Sequence, residues 1–203
     1  MPGNPIATLE GYTFQYACCG HLCLEAFHEG KLISFSVEPP RGQDFKIETT
    51  EDTRSYQAKD RKRLSEKDIR EMARENICLV HSEKLENEPS VILWCEKHGT
   101  SRIKLAKKDV YYKMSGVLVD LLQLNLNTPE RASLCNDFLT ALKSWGGTAI
   151  TGEFLKEFLQ DYKQRFGDKQ TMRPALTAII PIYKPKPLEA IIIPKMKGAN
   201  EEI

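Results

Sequence analysis

Three short segments in the first third of the chain constrain its fold more than any other feature. Residues 31–38, 44–49 and 53–59 alternate polar with apolar side chains and are rich in β-branched and aromatic residues, a pattern typical of half-buried strands. Pro39 and Pro40 end the first segment, and only a few residues separate the second from the third. Because the connections are so short, we expect the three strands to pair as an antiparallel meander.

Helical patterns surround these strands. Apolar side chains recur at three-to-four residue spacing over residues 12–28, which predicts an amphipathic helix. Ser65 and Asp68 resemble an N-cap pair that opens a second helix over residues 65–76. An apolar run at residues 90–96 predicts a fourth strand. Three further helices are predicted at residues 109–124, 129–144 and 151–166.

This order of elements predicts an α/β or α+β fold, with a small mixed central sheet flanked by helices. We expect a core over residues 1–110, a helical part packed on it over residues 111–170, and a Pro-rich extension or linker over residues 171–203. The extension contains prolines at 174, 181, 185, 187 and 194 among Ile-rich runs, so a helix is excluded there. Short extended pieces, or contact with another domain or subunit, fit this composition.

Charge and cysteine content narrow the class of protein. The 29 basic and 28 acidic side chains give a net charge of +1. Net charge therefore does not indicate nucleic-acid binding, which only local clusters of charge could support.

Residues 1–10 lack the basic and apolar regions of a signal peptide, so we expect a cytoplasmic protein with free thiols. Cys18, Cys19 and Cys23 form no CxxC pair and fit small core residues on a helix. No apolar run approaches the roughly 20 residues that span a bilayer.

Four polar residues stand close together on the predicted meander. Glu38 ends the first strand, Asp44 opens the second, and Gln57 and Lys59 lie two apart on the third. Because side chains alternate along a strand, Gln57 and Lys59 share one face, and the meander brings Asp44 beside them. Carboxylate and amide oxygens bind Mg²⁺, and a lysine stabilises a phosphoryl transition state. Singly, Asp44 fits a turn residue and Lys59 a solvated strand residue; together they favour phosphodiester hydrolysis.

The arrangement resembles the PD-(D/E)xK nuclease superfamily, and its Gln-x-Lys variant is similar to Mrr-like restriction endonucleases. Residues 11–15, 37–38 and 56–59 look most like the DNA endonuclease domain of CD-NTase-associated antiphage effectors. The match covers roughly residues 9–98. It implies a restriction-endonuclease-like core that cleaves double-stranded DNA in antiphage defence, with Mg²⁺ as cofactor and Mn²⁺ as a substitute. It also implies a homo-oligomer, or an additional sensor or NTPase domain or subunit.

The resemblance assigns roles to individual residues. Asp44 matches the metal-binding aspartate, Gln57 the second metal-ligand position and Lys59 the lysine. Glu38 matches a commonly acidic position before that aspartate and is the third implied metal ligand. Gln15 falls where many relatives have a helix side chain that faces the metal, so it is a possible further ligand. The implied catalytic set is therefore Glu38, Asp44, Gln57 and Lys59.

One departure from the family pattern keeps alternatives open. Residues 41–43 stand where a second acidic residue is often found, and Glu25, later on the helix, is an uncertain substitute ligand. A catalytically inactive nuclease-fold module for DNA binding or assembly is therefore the main alternative. A toxin-like effector that acts on RNA is a third possibility.

A basic run follows the lysine directly. Arg61, Lys62 and Arg63 would contact backbone phosphates, although such runs are more often solvated faces. A second basic run at residues 104–108 is a weaker candidate for the same role.

Overall fold

The structure of the chain is a computed structural model that describes residues 5–39 and 43–167. The predicted Pro-rich extension therefore lies outside the described residues. The elements, in chain order, are α1 (Pro5–His28), β1 (Leu32–Val37), β2 (Phe45–Thr49), β3 (Thr53–Lys59), α2 (Glu66–Arg74), β4 (Ile77–His81), α3 (Glu88–His98), β5 (Arg102–Lys104), α4 (Lys107–Leu122), α5 (Thr128–Ser144), β6 (Ala149–Thr151) and α6 (Gly152–Gly167).

The strands form one mixed, six-stranded sheet in the order β5-β4-β3-β2-β1-β6. The pairs β1–β2 and β2–β3 are antiparallel, so the predicted meander is confirmed. β4 pairs parallel with β3 and β5 pairs parallel with β4, whereas β6 is antiparallel to β1. The coarse prediction of an α/β fold with a mixed sheet flanked by helices is thereby confirmed.

Apolar side chains of the meander fix its register. Phe35 lies opposite Ile47, and Phe45 lies opposite Tyr56. The rings of Phe45 and Tyr56 stack with centroids 4.8 Å apart. All four side chains are buried on the face of the sheet that α1 covers, and a shift of one residue would turn them to the other face.

Helices cover the two faces unequally. On one face α1, α4, α5 and α6 pack with the strands in a large core. On the other face α2 and α3 pack over β4 in a small core that includes Ile69, Leu79 and Val91. Glu38, Asp44 and Lys59 lie together at one end of the sheet.

Small side chains allow α1 to sit deep in the large core. Cys18, Cys19 and Cys23 are fully buried free thiols, as predicted. A Cβ atom on Gly20 would lie 2.9 Å from the sulfur of Met114 on α4. Glycine at this position thus lets α1 approach α4 without displacing the Met114 side chain.

The strand predicted at residues 90–96 is wrong, because this segment lies in α3. Pro89 stands in the first turn of α3 and Gly99 caps its end in a left-handed conformation, which are common start and stop signals of a helix. The fourth strand is β4, whose five residues are all buried. β5 and β6 have only three residues each, and neither was predicted.

The predicted helix boundaries hold elsewhere within a few residues, except that α1 begins at Pro5 rather than at residue 12. Ser65 and Asp68 form the predicted N-cap pair of α2, with each side chain bonded to the other residue's backbone amide. No helix in the described part of the chain is both long enough and apolar enough to cross a membrane.

Candidate active site

The predicted catalytic residues meet at one end of the sheet, which we call the site end. Glu38 directly follows β1, Asp44 directly precedes β2, and Lys59 is the last residue of β3. Because β2 runs antiparallel to both neighbours, the end of β1, the start of β2 and the end of β3 coincide. The fold therefore brings together positions that are up to 21 residues apart in sequence.

Asp44 is held in place through both its backbone and its side chain. Its Oδ2 accepts a hydrogen bond of 2.7 Å from the Ala58 amide. Its carbonyl oxygen accepts from the Glu38 amide at 2.8 Å and from Gln15 Nε2 at 3.0 Å. Its own amide donates to the carbonyl of Tyr56 at 3.0 Å. These bonds fix the carboxylate against the strand that carries Gln57 and Lys59.

The side chains of β3 alternate between the two faces as predicted. Tyr56 is buried in the large core and Ala58 packs against it. Gln57 pairs in register with Leu79, which belongs to the small core on the other face. Gln57 and Lys59 therefore share the face opposite α1, and both remain partly accessible.

Burial shapes the ionisation of Asp44. Burial raises its pKa above the usual value for an aspartate, and the nearby carboxylate of Glu38 raises it further. The Ala58 amide and the positive charges of Lys59 and Arg61 act in the opposite direction without cancelling the shift. A carboxylate with a raised pKa is one whose negative charge lacks full compensation, which favours a cation beside it.

Lys59 shows the complementary perturbation. Burial lowers its pKa below that of an ordinary lysine, and the positive charge of Arg61 lowers it further. The carboxylates of Asp44 and Asp68 oppose this shift. Two groups whose charged forms are both disfavoured thus lie within electrostatic reach of each other, a pattern frequent at functional sites.

Glu38 is positioned by contacts that the sequence did not reveal. Its backbone has a φ of 53°, a left-handed conformation that a glutamate rarely adopts. The buried Tyr16 of α1 donates a hydrogen bond of 3.0 Å from its hydroxyl to Glu38 Oε1. Glu38 Oε2 lies 3.5 Å from the position of a Cβ on Gly146, so the turn after α5 also closes around this carboxylate. Neither Tyr16 nor Gly146 carried a sequence signal for a role at the site.

The basic run after Lys59 does not act as one unit. Arg61, Lys62 and Arg63 are all exposed. Lys62 and Arg63 form ion pairs with Glu86 at 3.3 and 3.8 Å. Arg61 instead influences the ionisation of both Asp44 and Lys59, so its charge reaches the site.

The other predicted candidates lie elsewhere. In the second basic run, Lys104 pairs with Glu88, and Lys107 pairs with Asp60 at 2.6 Å, so intramolecular carboxylates already neutralise two of its cations. Glu25 is ten residues beyond Gln15 on α1, which corresponds to about 15 Å along the helix axis. Its carboxylate lies 3.5 Å from His21, so it does not substitute for a ligand at the site end.

A groove between α4 and α5, with a volume of about 650 Å³, contains none of the predicted catalytic residues. It is lined by Tyr111, Tyr112, Arg131 and neutral side chains. Because its lining includes no carboxylate, it lacks a charged oxygen ligand for a metal. The site end of the sheet therefore remains the better candidate for hydrolysis.

Comparisons with protein-family models, with curated proteins and with solved structures found no match for this chain. We therefore infer the function of this chain from the residues of the site end and from their geometry.

Proposed function

We propose that this chain is a metal-dependent DNA endonuclease with a restriction-endonuclease-like core. The observation that carries the proposal is the hydrogen bond from the Ala58 amide to the Asp44 carboxylate. Ala58 lies between Gln57 and Lys59, so this bond holds a carboxylate beside an amide side chain and a lysine. That set of groups suits hydrolysis of a phosphodiester.

The donor set fits a hard divalent cation such as Mg²⁺. Asp44 and Glu38 are two carboxylates close enough for one to raise the pKa of the other. The side-chain oxygen of Gln57 would supply a neutral ligand. Gln15 donates from its Nε2 to the backbone carbonyl of Asp44, not to its carboxylate, and its own side-chain oxygen would be a further ligand. Within the described ranges no three His, Cys, Asp or Glu side chains come together as a metal site. The proposed site therefore relies on two carboxylates and amide oxygens, and Mg²⁺ commonly keeps several waters as its other ligands.

The residues of the chain would divide the work of hydrolysis. Asp44, Glu38 and Gln57 would hold the cation, which when bound lowers the pKa of a water and neutralises charge on the phosphate. The Lys59 ammonium would stabilise the negative charge that develops on the phosphate oxygens. Arg61 would bind the phosphate backbone beside the scissile bond.

The proposed substrate is double-stranded DNA, which the protein would recognise mainly by its backbone. No base-reading motif was found in the sequence, and the cations at the site end are suited to phosphate contacts. A homo-oligomer, or a sensor or NTPase domain or subunit, would control the activity in antiphage defence. Structured RNA is the competing substrate.

One observation favours a second candidate, an inactive nuclease-fold module that binds DNA or serves assembly. Glu38 Oε1 already accepts a hydrogen bond from Tyr16, and Gln57 offers a neutral oxygen where a carboxylate would bind a cation more strongly. In such a module Asp44 would serve only to link β2 to β3.

The proposal is tested by incubating the protein with linear duplex DNA and with structured RNA, each in Mg²⁺, in Mn²⁺ and in EDTA. We expect cleavage of the duplex DNA in both metals and none in EDTA. Cleavage of RNA alone would replace the proposed substrate. A folded protein that binds duplex DNA and cuts neither substrate in any metal would favour the inactive module.

A further inference from the structure

The residue that follows Lys59 is a buried carboxylate with an unusual number of partners. The side chain of Asp60 is only 2% exposed. Its Oδ1 accepts a hydrogen bond of 2.6 Å from the hydroxyl of Ser82. Its Oδ2 accepts from the ammonium groups of Lys84 at 3.1 Å and Lys107 at 2.6 Å. No prediction from the sequence gave this residue a role.

Asp60 and its partners come from three different parts of the fold. Asp60 follows β3, Ser82 and Lys84 lie in the connection between β4 and α3, and Lys107 begins α4. Backbone bonds support the same junction, because the Ser82 amide donates to the carbonyl of Lys59 at 3.2 Å. In addition, the Lys107 amide donates to the carboxylate of Glu83 at 2.9 Å. We call the contacts of Asp60 with Ser82, Lys84 and Lys107 at the end of β3 the clamp.

The charge of Asp60 is retained in this clamp. Burial by itself would raise the pKa of its carboxyl, but the hydrogen bonds from Lys107, Ser82 and Lys84 outweigh burial and hold the pKa below its usual value. A buried ion pair is weak evidence for stability, because apolar side chains of similar volume often stabilise as well. We therefore expect this charged cluster to fix the local geometry of the chain rather than to add stability.

The bonds of Asp60 restrain the residues on either side of it. Adjacent side chains of an extended segment point to opposite sides, so fixing Asp60 on one side fixes the direction in which Lys59 leaves on the other. The same restraint sets the path of the chain into Arg61. Lys59 and Arg61 are the two cations that act electrostatically on Asp44.

We propose that Asp60 is a positioning residue that holds Lys59 and Arg61 at the candidate active site through its bonds to Ser82, Lys84 and Lys107. Its catalytic consequence rests on the proposed nuclease function, whereas the placement of Lys59 can be measured without it. Asp60 itself is not expected to touch the substrate.

The first test follows the end of β3 by hydrogen–deuterium exchange, read by mass spectrometry on the peptide that contains Lys59, Asp60 and Arg61. In Asp60→Asn we expect the strand end to loosen, so the deuterium uptake of this peptide at short times should rise while the rest of the sheet keeps the uptake of the wild type. A role confined to electrostatics at the site would leave this backbone in place and predicts no change in uptake. Unchanged uptake in the folded variant would overturn the proposal.

The matched control is Asp52→Asn. Asp52 precedes β3 at its other end and pairs with Arg54 at 2.7 Å, so this variant removes the same charge from the same strand far from Lys59. We expect the deuterium uptake of the peptide around Lys59 to remain that of the wild type. If Asp60→Asn does not fold, Lys84→Gln and Lys107→Gln each replace one ammonium donor with a shorter, neutral amide and should raise the deuterium uptake by a smaller amount. No rise in either variant would overturn the proposal.

The second test measures cleavage. Asp60→Asn should lower kcat at least about tenfold, the scale expected when a catalytic group is misplaced, and change KM much less. Asp60→Glu should recover part of the loss. If the wild type does not cut DNA but Asp60→Asn shows the expected rise in deuterium uptake, the nuclease proposal is overturned and the positioning role of Asp60 is supported. A wild type that cuts DNA while both measurements are unchanged in Asp60→Asn would overturn the positioning role alone.

Discussion

The carboxylate of Asp44 and the backbone amide of Ala58 are joined by a hydrogen bond of 2.7 Å. This bond crosses from the start of β2 to the middle of the Gln-x-Lys segment of β3. The position of the carboxylate relative to Gln57 and Lys59 is therefore set by the backbone of the sheet, which is more rigid than contacts between long side chains. The Asp44 carboxylate is accordingly expected to keep its position when the side chain of Gln57 or Lys59 is replaced.

Asp44→Asn should abolish metal-dependent cleavage while increasing stability at neutral pH. The amide oxygen of asparagine can still accept from the Ala58 amide, but it carries no charge. The pKa of Asp44 is higher in the folded protein than in the unfolded chain. Ionisation of Asp44 therefore lowers the free energy of unfolding at pH values above the folded-state pKa. This loss disappears as the pH falls below the unfolded-state pKa. Thermal unfolding at pH 7 and at pH 3 should show a gain in Tm for the variant only at pH 7. A lower Tm at pH 7 would contradict the burial argument.

The pH dependence of cleavage should report Lys59. Burial lowers its pKa below the ordinary lysine value of 10.5, so the ammonium is lost at a lower pH than usual. We expect the cleavage rate to fall on the alkaline side below that value. In Lys59→Arg any residual activity should lack this alkaline limb, because a guanidinium stays charged. The same limb in both proteins would assign it to another group.

Tyr16→Phe should weaken the apparent affinity for Mg²⁺, by about 10- to 100-fold, the range typical of lost outer-shell contacts. The variant removes the hydroxyl that bonds Glu38 Oε1 and leaves the packing of the ring in place. A titration of cleavage rate against Mg²⁺ concentration measures the effect. Tyr112→Phe is the control, since Tyr112 is 75% exposed and lines the groove away from the site. If both variants gave the same dependence of cleavage rate on Mg²⁺ concentration, the proposed role of Glu38 as a metal ligand would be contradicted.

The three basic residues after Asp60 should contribute unequally to DNA binding. Arg61→Ala should reduce the slope of log affinity against log salt concentration by about one, as for one lost phosphate contact. Lys62→Ala and Arg63→Ala should have smaller effects, because both residues pair with Glu86. Glu86→Gln should tighten binding for the same reason. Fluorescence anisotropy with duplex DNA in EDTA measures all four variants, and equal effects of the three alanine substitutions would contradict the special position of Arg61.

Two glycines should respond oppositely to alanine. A Cβ on Gly152 would lie 2.7 Å from the carbonyl oxygen of Leu32, and neither backbone can move easily. Gly152→Ala should therefore lower the free energy of unfolding by about 1–3 kcal/mol. Gly116 lies inside α4, and apart from the neighbouring backbone of its own helix no atom lies within 4 Å of its Cβ position. Gly116→Ala should therefore raise the free energy of unfolding by about 0.5–1 kcal/mol. Urea denaturation of both variants would test the described close approach of β1 to α6.

The meander could be predicted because its strands have one wet face and one buried face. Alternation is visible in such strands, and residues 53–59 were predicted with the bounds that β3 has. β4 is buried on both faces, so its sequence does not alternate between polar and apolar residues. Its apolar run is shorter than that of α3, and the longer run was therefore predicted as the fourth strand. Length and the flanking Pro89 and Gly99 were the signals that would have separated helix from strand.

The site could be predicted only in part, for a similar reason. Strand periodicity placed Gln57 and Lys59 on one face, and the meander placed Asp44 beside them. The contacts of Tyr16, Gly146 and Asp60 join segments that are distant in sequence, so no local sequence pattern predicts them. They emerge only when the packing of α1, the turn after α5 and the start of α4 is known.

The most direct test of the nuclease proposal is cleavage of supercoiled plasmid by the wild type, Asp44→Asn, Lys59→Ala and the control Asp52→Asn, each with Mg²⁺ and with EDTA. We expect the wild type and Asp52→Asn to convert the plasmid to nicked and linear forms in Mg²⁺ alone, and the two site variants to remain folded and leave it supercoiled. Metal-dependent cleavage that persists in folded Asp44→Asn or Lys59→Ala would contradict the assignment of the active site to the end of β3.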